Sequence, residues 1–142
     1  MRIPDANILL YAIDDTSAHH EAARAWLDES LSGDEPVGFA WVVLIAFLRL
    51  STRAPVFGSP LQPSDAFDIV EGWLRQPPAL ILHPTDRHAA IVRGLVEPVG
   101  VAGNLINDAH LAALAIEHGG EVVSADTDFA RFRGLRWSNL LA

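Results

Sequence analysis

Apolar residues fall in short blocks along this chain, and their spacing alternates between the strand and helix periods. Ile3 leads into Asp5 as a short first strand, weakened by Pro4, which has no N–H to give a ladder. A short helix over 7–12 follows. Across 18–31, Ala22, Ala23, Trp26, Leu27 and Leu31 share one face, the signature of an amphipathic helix. Val37, Gly38 and Phe39 read as a brief strand. Residues 41–50 are apolar all round until Arg49, and their length predicts a buried helix. Three prolines and one glycine make 54–63 a loop.

Ser64 is the expected N-cap of the next helix, with Asp65 in its first turn and Ala66, Phe67, Val70, Trp73 and Leu74 as its stripe. Pro77 and Pro78 stop it. Residues 79–82 read as a compact buried strand, and Thr85 caps a helix that turns Ile91, Val92, Leu95 and Val96 inward. A loop over 98–103 precedes a helix over 105–118, which ends at Gly119-Gly120. A strand over 121–124, a helical turn over 126–132 and an edge strand over 135–137 complete the chain. Strands alternating with helices predict an α/β fold, with a mainly parallel sheet covered on both faces.

The length of 142 residues suits a single domain spanning 1–142. There is no Cys, which excludes disulfides, thiol nucleophiles and thiolate zinc sites. All ten basic residues are Arg, so P-loop, Schiff-base and lysine-base chemistry are excluded too. The net charge of −8 argues against broad basic docking on nucleic acid or an anionic membrane. The longest apolar run, 39–48, is too short to span a bilayer. No targeting segment is visible, and a cytoplasmic protein is the expectation.

In open parallel sheets, ligands bind beyond the carboxyl ends of the strands. Asp5 follows the first strand there, and Asp126 and Asp128 follow the strand at 121–124. A third segment adds Asn104, Asn107 and Asp108 on one face of the helix over 105–118. A carboxylate at the head of a buried helix needs a partner, and a divalent cation can serve several carboxylates together. Each acid also has a plainer reading. Asp5 and Asp126 can cap the helical segments that follow them, Asp108 can favour a helix dipole, and Asp128 can be a solvated charge. After Asp128 no acid remains, while Arg131, Arg133 and Arg136 follow, a basic tail able to hold phosphate or simply to face solvent. His19, His20, His83, His88, His110 and His118 carry no ligand spacing, and the four Trp lie within apolar patterns.

The segments Pro4-Asp5-Ala6-Asn7-Ile8-Leu9-Leu10-Tyr11-Ala12, Trp41-Val42-Val43-Leu44-Ile45-Ala46-Phe47-Leu48-Arg49, Asn107-Asp108-Ala109-His110-Leu111-Ala112-Ala113-Leu114-Ala115 and Ser124-Ala125-Asp126-Thr127-Asp128-Phe129 together resemble the PIN-domain family. More narrowly, they resemble VapC-type toxins of bacterial toxin–antitoxin pairs. The likeness covers the chain in order and spacing. It implies a three-layer α/β/α fold and an endoribonuclease that depends on Mg²⁺ or Mn²⁺. It also implies dimerisation and inhibition by a VapB-type antitoxin. On this resemblance Asp5, Asp108 and Asp126 hold the metal and Asp128 is the accessory catalytic acid. Asn7, Asn104, Arg49 and Arg131 are candidates for supporting the site or touching RNA. One position departs: where most of the family has Glu, the alignment falls at or near Ala46, and no acid stands between Glu35 and Asp65. Ala46 keeps a second reading open, a degenerate non-catalytic module that binds RNA or a protein. Receiver and haloacid-dehalogenase-type folds also place acids after a first strand, but both need a Lys that this chain lacks.

Overall fold

The computed structural model describes residues 1–53, 59–100 and 103–142. Residues 54–58 and 101–102, within the two expected loops, lie outside the described residues. The element order is β1 (Arg2–Pro4), α1 (Ala6–Ile13), α2 (His20–Leu31), β2 (Val37–Phe39), α3 (Trp41–Ser51), α4 (Pro63–Leu74), β3 (Ala79–Ile81), α5 (His88–Val96), α6 (Leu105–His118), β4 (Glu121–Val123), a 3₁₀ turn (Thr127–Arg131) and β5 (Arg136–Ser138).

The five strands form one sheet in the order β3-β2-β1-β4-β5, and every pairing is parallel. The chain builds outward from β1 to β3, then returns to the other side of β1 with β4. Right-handed crossovers require that such a reversal put the helices of the two halves on opposite faces. The packing agrees: α1 meets α2 and α3, α3 meets α4, and α5 meets α6. The fold is therefore α/β/α, with the switch point between β1 and β4, where such sheets place their ligand crevice.

Pro4 does not break β1. Arg2 N–H donates to Pro36 and Asp5 N–H to Val123, so donors alternate between neighbours. The missing Pro4 donor falls on the β2 side, where the registered pair is Arg2 with Val37 alone. Ile3, Leu9, Phe39, Leu44, Phe47, Leu111, Leu114, Val122 and Phe129 fill the two interfaces around the sheet. Trp73 stacks on Phe39 at 6.3 Å and meets Phe47 edge-on at 4.8 Å, tying α4 to β2 and α3. Alanines at 109, 112, 113 and 115 are fully buried and let α6 pack closely. Gly119 closes α6 with φ of 68°, a left-handed cap that Gly adopts without the Cβ penalty.

Several expectations need correction. β1 ends at Pro4 rather than at Asp5, which follows the strand and caps α1, as its plainer reading had it. The N-cap of α4 is Gln62, with Pro63 in its first turn, because Pro supplies a helical φ and needs no donor there; Ser64 is already inside the helix. Thr85 reaches Arg87 N–H with its hydroxyl, but α5 starts only at His88. The helix at 41–51 is not buried all round: Trp41 is 44% exposed and Ile45 57%. Phe67 also leaves its predicted stripe for solvent, since α4 turns Ala66, Val70 and Trp73 inward. The strand expected to be buried, β3, lies at the sheet edge and exposes Leu80 and Ile81. Of the four Trp, Trp73 is buried, Trp26 and Trp137 are half-buried and Trp41 is exposed.

Candidate metal centre

Asp5 follows β1 directly and Asp126 stands three residues beyond β4, both at the switch point, and each caps the helical segment after it. Asp5 accepts from Ala6 N–H at 2.8 Å, and Asp126 accepts from Asp128 N–H at 2.9 Å. The plainer capping readings of both residues are therefore correct as geometry. They also aim both carboxylates beyond the same sheet edge, because an N-cap holds its side chain over the first helical N–H groups.

Ser124 joins the two caps. Its hydroxyl is fully buried, donates to Asp5 Oδ2 at 2.7 Å and accepts from Asp126 N–H at 3.0 Å. Asn7 completes the clasp. Its Nδ2 donates to Ser124 Oγ at 3.0 Å and to Asp5 Oδ2 at 3.3 Å, while its Oδ1 accepts from Ala125 N–H at 3.1 Å. Trp137 Nε1 donates to the Ser124 carbonyl at 3.0 Å, so β5 braces the same turn. Sequence reasoning named Asn7 but missed Ser124 and Trp137. The available signal was a lone hydroxyl directly after a buried Val-Val strand, one residue before a short acidic turn.

Asp108 comes from the first turn of α6. One carboxylate oxygen each from Asp108, Asp126 and Asp128 lie within 4.8 Å of one another. Among the described residues this is the one such group of three or more possible ligands. Asp5 is outside that tightest set, but it lines a cavity of about 300 Å³ together with Asp108, Asn107, Ala46 and Arg49. Burial pushes the Asp5 carboxyl above its ordinary range, against the lowering effect of the Ser124 hydrogen bond. Asp108 is pushed up to about 7 by burial, then by the neighbouring charges of Asp126, Asp5 and Asp128. Four carboxyl groups held this close repel unless protons or a cation intervene. An all-carboxylate oxygen donor set with an open side suits a hard divalent cation.

The other candidates fall at the rim. Asn104 precedes α6 without a capping bond from its side chain and is exposed. Arg131 pairs with Asp128 at 3.7 Å across one turn. Arg49 is exposed on α3 and borders the cavity. Arg136 donates to the Gly119 carbonyl at 2.5 Å, away from the acids.

A separate polar cluster ties α5 to α6. The Glu117 side chain is fully buried and accepts from Thr85 N–H at 2.8 Å, the Thr85 hydroxyl at 2.5 Å and His88 Nδ1 at 2.5 Å. His88 Nε2 in turn meets His110 Nδ1 at 2.8 Å. Burial works against ionising Glu117, but the bonds from Thr85 and His88 outweigh it and hold its carboxyl below the usual range. Burial and the adjacent His88 push His110 down. This accounts for His110 as packing, two positions and half a turn away from Asp108.

The profile of the PIN domain family matches residues 2–135. Among curated proteins, the chain is 52% identical to Ribonuclease VapC37 of Mycobacterium tuberculosis, over 96% of this chain and 95% of that protein. It is 41% identical to Ribonuclease VapC33 of the same species, over 99% of each. Among solved structures, it superposes on VapBC2 of Rickettsia felis, solved bound to a promoter DNA fragment, with a TM-score of 0.71 at 18% identity, covering 97% of each chain. VapC20 of Mycobacterium tuberculosis, described as a sarcin-ricin loop cleaving toxin, gives 0.69 at 16% identity, over 96% of this chain and 99% of that one.

Proposed function

The chain belongs to the PIN domain family, and from that membership we propose that it is an endoribonuclease, the toxin of a VapBC-type toxin–antitoxin pair. It cleaves RNA phosphodiester bonds and so inhibits translation and growth. The observation that carries the reading is the convergence of Asp108, Asp126 and Asp128, with Asp5 on the same cavity, in a chain 52% identical to a named ribonuclease. A VapB-type antitoxin is its partner, and the working form is a homodimer of single-domain chains spanning 1–142. No helix among the described residues is long and apolar enough to cross a membrane, and a ribonuclease of this kind would act in the cytoplasm, where its RNA is.

Mg²⁺ or Mn²⁺ fits the donor set, since all the converging ligands are carboxylate oxygens. Bound there, such an ion supplies Lewis acidity and generates a nucleophile from water near neutral pH. The chain's own residues do the rest. Asp108, Asp126 and Asp5 would hold the ion, and Asp128, tethered by Arg131, would be the accessory acid beside them. Ser124 and Asn7 keep Asp5 and Asp126 at a fixed separation, so little rearrangement is needed when substrate arrives. Asn104, Arg49 and Arg131 stand at the rim, where the RNA backbone enters. tRNA, rRNA and mRNA would all meet this machinery alike, because phosphate contacts position and base contacts specify.

One observation favours the non-catalytic reading: Ala46 borders the cavity and brings no carboxylate to it. Cleavage of total cellular RNA by the purified protein in Mg²⁺ or Mn²⁺ separates the two. Discrete cuts that vanish with EDTA and in Asp5→Asn and Asp108→Asn establish the ribonuclease. Intact RNA together with no calorimetric binding of Mn²⁺ would leave a PIN-shaped binding module.

A further inference from the structure

Building on the ribonuclease reading, we propose that the exposed face of α3 is the wall on which unpaired RNA docks. A base stacks on Trp41, the strand runs over Ile45, and a backbone phosphate pairs with Arg49. The three residues stand at i, i+4 and i+8, hence on one side of the helix, about 12 Å from first to last. Trp41 is 44% and Ile45 57% exposed, an apolar surface that water does not favour.

This face is continuous with the acids. Ile45 and Arg49 line the same cavity as Asp5 and Asp108. Trp41 begins α3 directly after β2, at the sheet edge where Asp5 follows β1. The carboxylates repel a polyanion, so a fixed cation beside them is needed to seat one. Arg49 meets that need. Arg49 enters no ion pair among the described residues, and it is the arginine that lines the cavity of Asp5 and Asp108. The same guanidinium disfavours a basic peptide that the acids alone would attract. A planar aromatic and a fork-shaped cation at the two ends of an apolar stripe match a strand of bases and phosphates. A base must leave its helix to lie on Trp41, so the match is to unpaired RNA rather than to a duplex.

The test is binding of a short fluorescent RNA, single-stranded or annealed to its complement, to the Asp5→Asn protein in Mg²⁺ across a salt series. Asp5→Asn removes cleavage but leaves α3 untouched. Trp41→Ala should weaken single-strand binding about tenfold with an unchanged salt dependence. Arg49→Ala should weaken it and lower the slope of log affinity against log salt by about 0.7, the loss of one phosphate contact. Arg49→Lys should keep the slope. Neither variant should alter Mn²⁺ affinity by calorimetry or the thermal midpoint, and duplex binding should respond to neither. Unchanged single-strand affinity in both variants overturns the proposal, as does a loss confined to binding of the antitoxin. If the parent protein leaves total cellular RNA intact in Mn²⁺, the ribonuclease reading itself falls, whatever the two α3 variants do. Should Arg49→Ala misfold, Arg49→Gln and the lysine variant give the same slope comparison.

Discussion

Replacing Asp108 by Asn should stabilise the metal-free protein while abolishing its response to metal. The carboxyl at 108 is pushed from 3.8 up to about 7 by burial and by Asp126, Asp5 and Asp128. Between those two values the folded chain holds a proton that the unfolded chain has released. Stability therefore falls as pH rises from about 4 to 7 and stays low above it. Each tenfold in the equilibrium is worth about 1.4 kcal/mol, which sets a ceiling of about 4 kcal/mol. Asp108 is only half-buried, and solvent screening reduces this to about 1–2 kcal/mol. An amide has nearly the same shape and no charge, so the variant escapes the penalty. In EDTA near pH 8 it should melt about 3–8 °C above the parent, and the gap should close near pH 4, where both side chains are neutral. Adding Mn²⁺ should raise the melting temperature of the parent and leave the variant in place. A variant that melts lower at pH 8 without metal, or two curves with parallel pH dependence, would refute the claim that burial and the neighbouring acids together make a charged Asp108 destabilising.

Three further outcomes follow from particular contacts. Ser124→Ala removes one donor bond and two accepted ones from a buried position, so it should cost about 2–3 kcal/mol in denaturant unfolding. It should also reduce cleavage about 10- to 100-fold with weaker Mn²⁺ binding, since the clasp around Asp5 and Asp126 loosens. Glu117→Ala should lower stability by about 2–3 kcal/mol near neutral pH through the lost bonds from Thr85 and His88. Because the folded Glu117 carboxyl is held below 4.5, that stabilisation is present above this value, and the gap between parent and variant should narrow on acidification. Gly120→Ala would set a Cβ 2.8 Å from Ile3 Cδ1 and 3.3 Å from the Met1 carbonyl, and should cost about 1–3 kcal/mol by chemical denaturation.

The alternation of element types was legible because each element is short and well punctuated. Gly119 and Gly120 mark the end of α6, and Pro77 and Pro78 separate α4 from β3. What was illegible is what depends on partners distant in sequence. Nothing local distinguishes Ile45 from Leu44, although one faces solvent and the other is fully buried. Both are aliphatic, and an all-apolar helix has no polar face to reveal its orientation. The start of α4 departs from expectation for a different reason. Ser64 is a favourable cap, but Pro63 before it carries a fixed helical φ, and a first-turn proline sets the boundary earlier.

At the site, the sequence offered each acid two roles as though they competed, and the structure shows that they coincide. Asp5 and Asp126 cap because they sit where strands give way to helical turns, and that is also where a parallel sheet opens its crevice. Capping orients each carboxylate, Ser124 locks the two caps together, and burial keeps water from screening their repulsion. The cost falls on Asp108, the acid that arrives from another element and uses no cap, where burial and the other three acids oppose its charge. A capping residue is normally stabilising, so two caps alone would leave no electrostatic debt. The debt appears because a third helix brings its own acid to the same point, a placement that costs stability in the absence of a cation and therefore makes sense as a site for one.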